Sequence, residues 1–387
     1  MKYDVIIVGC GVSGLYSALK IGKNKSILII CKEDKKSCNS ILAQGGICVL
    51  RDDTDYEDYF EDTMKAGHYE NKKEALDIMI KNSRSVINDL LSLGVRFEKD
   101  DKGNLKYTKE AAHSKSRICF HRDITGKEIV ETLLENISYY NNINIMEYTT
   151  MLDIIVEDNI CKGIVAKTQE GKIINIYSKD TILATGGIGG LYKHSTNFSS
   201  ITGDSIKIAK KHNIKLENLD YVQIHPTGLY KKEPGRHFLI SESTRGEGAI
   251  LIDKEGNRFV DELLPRDKLS KAIREKLKEE NSNYVRLSFK NIDKDIIKNR
   301  FENIYNTCLK EGYDITEEPI PVVPAQHYFM GGISVDTYSK TSMEHLYAVG
   351  ETSCTGVHGK NRLASNSLLE CFVFAKRASE KIINESR

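Results

Sequence analysis

The chain opens on an apolar run of strand length, Val5-Ile6-Ile7-Val8. It passes through Gly9-Cys10-Gly11-Val12-Ser13-Gly14 into a helical pattern carried by Leu15, Ala18 and Leu19. A second apolar run at 27–30 completes a β-α-β unit. A glycine loop between strand and helix lets backbone approach a pyrophosphate and aims the helix's free N–H groups at it. GxGxxG alone is a weak pattern; its place between strand and helix is what makes it a dinucleotide site. The acid that usually follows the second strand, about 20 residues after the glycines, is replaced here by Cys31-Lys32 before Glu33. Lys32 and Glu33 are therefore both candidate ribose contacts, and NAD is a weaker choice of ligand.

Apolar spacing predicts helices over 56–67 and 71–93, the second carried by Ala75, Ile78, Met79, Asn82, Val86 and Leu90. From 143 to 184 the pattern shortens into β segments at 143–146, 151–156, 163–167 and 181–184. The last ends in Ala184-Thr185-Gly186-Gly187, small residues that admit a bulky cofactor. Between 219 and 328 the character changes, with a polar loop at 223–227, a strand pair near 248–260 and helices near 265–280 and 292–311. Glycine-rich sequence resumes at Gly331-Gly332, a strand over 346–349 leads into Gly350-Glu351, and a closing helix starts near Ser365. The expected fold is α/β: a Rossmann-like domain from 1–218 and 329–387 with an inserted α+β capping domain, 219–328.

Charge adds an exclusion. With 56 Lys+Arg against 55 Asp+Glu, nothing calls for nucleic acid or an anionic membrane as partner. Nine cysteines are scattered without CxxC or zinc-type spacing and no signal peptide precedes the first strand. Reduced thiols and a cytoplasmic location are expected. No apolar run approaches the roughly 18–20 residues of a membrane-spanning helix.

Six motifs occur in order: Ala43-Gln44-Gly45-Gly46, Ala184-Thr185-Gly186-Gly187, Gln223-Ile224-His225-Pro226-Thr227, Arg245-Gly246-Glu247-Gly248-Ala249, Leu264-Pro265-Arg266-Asp267, and a run from Gly359 through Arg362-Leu363-Ala364-Ser365 to Glu370. The set closely resembles the flavoprotein family of L-aspartate oxidases, succinate dehydrogenases and fumarate reductases, over essentially the whole chain. The resemblance implies FAD across the first domain, with its phosphates at the loop from Gly9 to Gly14, especially Cys10, Gly11, Val12 and Ser13. Lys32, Asn39, Ser40, Ala43, Gln44, Gly45, Gly46, Ala184, Thr185 and Gly186 would contact the cofactor. So would Asp204, Glu351, Ser367 and Leu368, with Glu351 on ribose. Asp204 and Ser365 also fit simply as helix N-caps. Quinone-linked members attach FAD through a histidine in Arg-Ser-His-Thr; here the stretch reads Lys36-Ser37-Cys38-Asn39-Ser40, which implies noncovalent FAD.

A dicarboxylate needs fixed donors at both ends to replace lost water. The resemblance assigns Arg362, His225 and His327 to that clamp, with Gln223 and Ser241 as neutral donors. Arg266 matches the family's proton-shuttling arginine. A guanidinium is a poor base, so Arg245, Glu242 or Glu247 would have to share the task. Glu110, in Lys109-Glu110-Ala111-Ala112-His113, matches an acid of the aspartate oxidases that meets the substrate ammonium. Succinate has no such cation. The implied reaction is oxidation of L-aspartate to iminoaspartate by hydride transfer to flavin N5, with oxygen or fumarate as reoxidant. This is the first step of de novo NAD biosynthesis, with quinolinate synthase as a possible partner. A soluble fumarate reductase is the alternative, with Glu110 the discriminating residue. Larger aspartate oxidases carry a further C-terminal helical domain, which the resemblance implies this chain, ending at Arg387, lacks.

Overall fold

The computed structural model describes residues 1–233 and 235–385. Arg387, the expected end of the larger domain, lies outside them, as does Pro234 in the smaller. Strands Lys2–Val8 and Ile27–Ile30 run parallel, Val5 opposite Ile27 and Val8 opposite Ile30, joined by the helix Val12–Ile21. Residues 5–8 and 27–30 are buried at every position, which is why they read as unbroken apolar runs.

The main sheet has seven strands. Ile143–Met146 flanks Ile27–Ile30, and the long strand Ile173–Leu183 lies parallel to Lys2–Val8 on the other side. The first half of that long strand also pairs with Ile160–Lys167, and its last three residues with Leu346–Ala348. It starts well before the expected 181, because Asn175, Tyr177 and Lys179 alternate outward while Ile176, Ser178 and Asp180 point in. A half-solvated stretch of that kind carries no continuous apolar signal.

Helices Val12–Ile21, Lys73–Ser92, Thr125–Ser138 and Asn366–Asn384 share one core on one side of this sheet. Lys73–Ser92 buries Leu76, Ile80, Ser83 and Ile87 beside Ala75, Met79, Val86 and Leu90. Ile78 and Asn82 stand at the edge of that face, the Asn82 amide donating to the Ile78 carbonyl at 2.8 Å.

A second sheet centres on the antiparallel pair Val222–Leu229 and Ile320–Phe329 and continues through Val285–Ser288 to Ile250–Ile252. His194–Ser195, from outside 219–328, joins it beside Gln326. Its own core gathers Leu251, Leu269, Ile273, Leu287, Phe301 and Ile304. The helix expected over 292–311 is two, Lys294–Arg300 and Glu302–Lys310, broken where buried Phe301 leaves helical geometry at φ −109° and ψ 34°.

The expectation of nine free thiols is corrected. Seven are free, while Cys10 and Cys31 form a disulfide. The register explains the pairing. With Val8 opposite Ile30, the residues just past the two strand ends face each other, Cα atoms 5.8 Å apart and within disulfide reach.

Candidate active site

A continuous cleft collects residues from both sheets. Gly9, Cys10, Gly11, Ser13, Lys32, Asn39, Ser40, Ala43, Gln44, Gly45, Gly46, Ala184, Thr185, Gly186, Asp204, Glu351, Ser367 and Leu368 all line it. Gly9 has φ 119°, and a Cβ there would lie 2.1 Å from the Ala184 carbonyl oxygen, so only glycine lets the loop pass Ala184-Thr185. Gly11, at the N-cap of the first helix, has no side chain to cap it, and of the terminal N–H groups Val12's is taken by Ser40 Oγ. Gln44 donates from Nε2 to the Leu239 carbonyl at 2.8 Å while its Oε1 is buried without a partner. A cleft with a helix N-terminus, glycine walls and an orphaned amide oxygen fits a dinucleotide carrying a polar ring system.

Two members of the expected cofactor set do not line the cleft. Val12 is buried in the core beneath the loop, its N–H held by Ser40 Oγ at 3.1 Å. Gly14 packs helix against loop, since a Cβ there would fall 2.1 Å from the Gly9 carbonyl oxygen. Lys32 reaches across to Asp204 Oδ2 (2.8 Å), Thr202 Oγ1 (3.0 Å) and the Ser200 carbonyl (3.1 Å), and Glu33 lines the cleft beside it. Asn39 donates to Asn197 Oδ1 and accepts from the Phe198 N–H at 3.0 Å. Glu351 accepts from the Phe329 N–H at 2.9 Å, and burial pushes its carboxyl up to about 7.

At the other end of the cleft His225, Ser241, Glu242, Arg266, His327, Arg362 and Glu110 converge. The rings of His225 and His327 stand 5.1 Å apart. The Thr227 N–H donates to His225 Nδ1 at 3.2 Å, which places the proton of the neutral ring on Nε2; that nitrogen is buried and unpaired. Thr196 Oγ1 holds His327 Nδ1 at 2.7 Å. Burial, reinforced by Arg266, keeps both imidazoles well below their ordinary pKa, so they are neutral donors.

Arg362 donates from one terminal nitrogen to Ser367 Oγ at 3.1 Å, and its Nε is buried without a partner. Arg266 donates through Nε to Glu242 Oε2 at 2.6 Å and through NH1 to Gln223 Oε1 at 2.9 Å, which leaves NH2 for the cleft. Unpaired donors at Arg362 Nε and His225 Nε2 are what a bound carboxylate would satisfy.

Three expectations change here. Gln223 was expected to donate to the substrate, but its NH₂ is spent on Asn361 Oδ1 (2.9 Å) and the Arg362 carbonyl (2.8 Å), so it braces both arginines instead. Glu247, a candidate relay for Arg266, pairs with Arg300, which leaves Glu242 and Arg245 beside Arg266. Neither expected N-cap caps by its side chain: Asp204 lies one position inside its helix, and the Ser365 hydroxyl goes to Glu110 Oε2 at 2.6 Å.

Glu110 and Glu242 differ although both are buried. Arg266 and Arg245 hold Glu242 below its usual value against the cost of burial. Glu110 is raised, by burial first and by the charge of Glu242 second. Among the described residues no cation pairs with Glu110 within ion-pair distance. Sequence reasoning missed Thr196 and Tyr328 at this end; only Tyr328's place beside His327 could have signalled either.

Fold and cleft together define a dinucleotide-dependent oxidoreductase whose site is closed by the second sheet. A family model described as FAD binding domain matches residues 4–368. The L-aspartate oxidase of Clostridium perfringens is 54% identical over 380 residues, 98% of this chain and 86% of that one. That of Synechocystis is 40% identical over 390 residues, 97% and 70%. A solved E. coli quinol fumarate reductase FrdA, carrying a point mutation, superposes with a TM-score of 0.93 at 30% identity, covering all of this chain and 70% of that one. The chain belongs to the L-aspartate oxidase family of FAD-binding flavoproteins.

Proposed function

We propose that this chain oxidises L-aspartate to iminoaspartate with noncovalently held FAD. Residues 1–218 and 329–387 would form the FAD domain and 219–328 the cap. The observation that carries the reading is Glu110, a buried carboxyl with no ion-pair partner among the described residues, in the same cleft as a clamp for two carboxylates. A dicarboxylate with an ammonium group answers both features; one without it leaves Glu110 unexplained.

Arg362, with the Nε2–H of His225 and the ring of His327, holds the substrate carboxylates by replacing the water they lose. Ser241, whose hydroxyl is shared with Ser243 at 2.7 Å, lies beside them. Glu110 meets the ammonium, and its raised pKa equips it to hold the proton that nitrogen must give up for the C–N double bond to form. FAD, when bound, supplies the acceptor for the hydride that leaves Cα. Gly9, Cys10, Gly11, Ser13, Lys32, Asn39, Ser40, Ala43 to Gly46, Ala184 to Gly186, Asp204, Glu351, Ser367 and Leu368, which line the cleft, would hold it. Arg266, locked between Glu242 and Gln223, presents one free nitrogen to the reacting end, with Glu242 as its proton partner. In the separate reoxidative half-reaction, where fumarate becomes succinate, that nitrogen would deliver the proton to one alkene carbon while the other takes the hydride.

Fumarate reductase as the principal activity is not favoured, since those structures stand near 30% identity against 54% for an aspartate oxidase. By this reading the imine passes to a quinolinate synthase on the route to NAD. Among the described residues no helix is long and apolar enough to cross a membrane. The test is product formation: the purified holoprotein should convert L-aspartate to an imine that hydrolyses to oxaloacetate and ammonia. Turnover of succinate but not aspartate would overturn the proposal.

A further inference from the structure

A buried arginine that must bind a ligand carboxylate has to be held in place without being neutralised. Arg362 meets that demand unusually: among the described residues it makes no ion pair, and its one side-chain hydrogen bond is to Ser367. Its guanidinium carbon lies 4.7 Å from the ring centre of Tyr328, on the strand Ile320–Phe329. The Tyr328 hydroxyl donates to Glu370 Oε2 at 3.0 Å. Glu370, on the helix Asn366–Asn384, also accepts from His358 Nε2 at 2.8 Å and from Thr355 Oγ1. These donors hold Glu370 ionised against the cost of burial, while burial and that same charge keep Tyr328 a neutral phenol.

From this geometry we infer that Tyr328 and Glu370 are positioning residues for dicarboxylate binding, the ring holding Arg362 by its face and the buried carboxylate fixing and polarising the ring. The inference rests on the reading of Arg362 as a carboxylate ligand. A ring face attracts a cation without occupying its N–H groups, which point outward in the guanidinium plane and stay free for the ligand. A phenol that donates to a carboxylate gains electron density on its ring, which strengthens the hold on the cation. A carboxylate placed directly against Arg362 would instead compete with the substrate. Glu370 therefore acts through one intervening ring.

The role is distinct from that of Glu110. Glu110 would discriminate between aspartate and fumarate, whereas Tyr328 and Glu370 should affect both equally, because both ligands offer the same carboxylates to Arg362.

The experiment measures the fumarate Kd from flavin difference spectra, and KM and kcat for aspartate, on FAD-loaded wild type, Tyr328→Phe, Tyr328→Leu, Glu370→Gln and the double variant Tyr328→Phe/Glu370→Gln. We expect Tyr328→Phe and Glu370→Gln each to weaken fumarate about 10-fold and raise the aspartate KM in parallel, with kcat changed less than about threefold. Tyr328→Leu, which loses the ring, should weaken binding about 30-fold or more. The double variant should match either single within about twofold, because both act through one hydrogen bond. A fumarate Kd unchanged in FAD-loaded Tyr328→Phe would overturn the inference, as would single losses that multiply in the double variant. If Tyr328→Leu or Glu370→Gln does not fold, Tyr328→Phe decides, since it keeps the core volume. Wild type that binds neither fumarate nor aspartate would instead refute the reading on which the inference rests.

Discussion

Ser365 gives its hydroxyl hydrogen to Glu110 Oε2 across 2.6 Å, and does so from a left-handed backbone at φ 61°. A non-glycine residue there costs about 1–2 kcal/mol, and the side-chain cap this position could make to its own helix is absent. On its other side Glu110 is pressed against Gly45, where a Cβ would come within 2.2 Å of Oε1. Helix start and glycine turn together fix a carboxyl that, among the described residues, has no cation within ion-pair distance.

Ser365→Gly should isolate that bond, because glycine relieves the backbone while removing the hydroxyl. Aspartate kcat/KM is expected to fall about 10-fold or more, and fumarate reduction to stay within about twofold of wild type. Steady-state assays of aspartate oxidation and of fumarate reduction at equal flavin content check this; equal losses would show that the bond serves the fold instead.

Arg362→Leu should abolish dicarboxylate turnover while FAD stays bound, since it removes a charged partner and leaves the ligand carboxylate unpaired, about 3 kcal/mol or more. Arg266→Lys should lower kcat strongly with little change in dicarboxylate affinity, because lysine cannot span Glu242 and Gln223 with a planar fork. An effect of Arg266→Lys on KM alone would assign it to binding.

Burial, with the charge of Arg266 beside it, lowers Arg362 to about 10. The protonated form binds the carboxylate, so affinity is fully present below that value and is lost as pH rises through it. Fumarate Kd should be flat from about pH 7 to 9 and rise about tenfold per unit above about pH 10. A flat profile to about pH 11 in folded protein would show that Arg362 keeps its proton in the unliganded cleft, against the lowered value.

Asn39 lines the cleft engaged by Asn197 and Phe198, and its amide cannot form a histidyl link to FAD. Acid denaturation should release all the yellow colour into the filtrate. Colour retained on the polypeptide would show a covalent link.

Much of the fold could be read from the sequence because buried strands and glycine turns leave local marks. The β-α-β unit rests on fully apolar runs, and Gly9 on a backbone approach that no other residue allows. The start of Ile173–Leu183 was hidden because its first half is half-solvated, and the break at Phe301 because tertiary burial, not proline or glycine, makes it. In the site, charged residues carried by family motifs were legible, but their partners were not. Thr196, Tyr328 and the Ser365 bond come from segments far apart in sequence, and the direction of the Gln223 amide is fixed by Asn361 and the Arg362 backbone. The Cys10–Cys31 pairing needed the strand register.

The central claim is that this site oxidises an amino dicarboxylate, and anaerobic reduction of the bound flavin tests it most directly. Mixed with L-aspartate in the absence of oxygen, the holoprotein should lose its visible flavin absorbance roughly 10-fold or more faster than with succinate, which offers Glu110 no ammonium. Bleaching by succinate and not by aspartate would contradict the account.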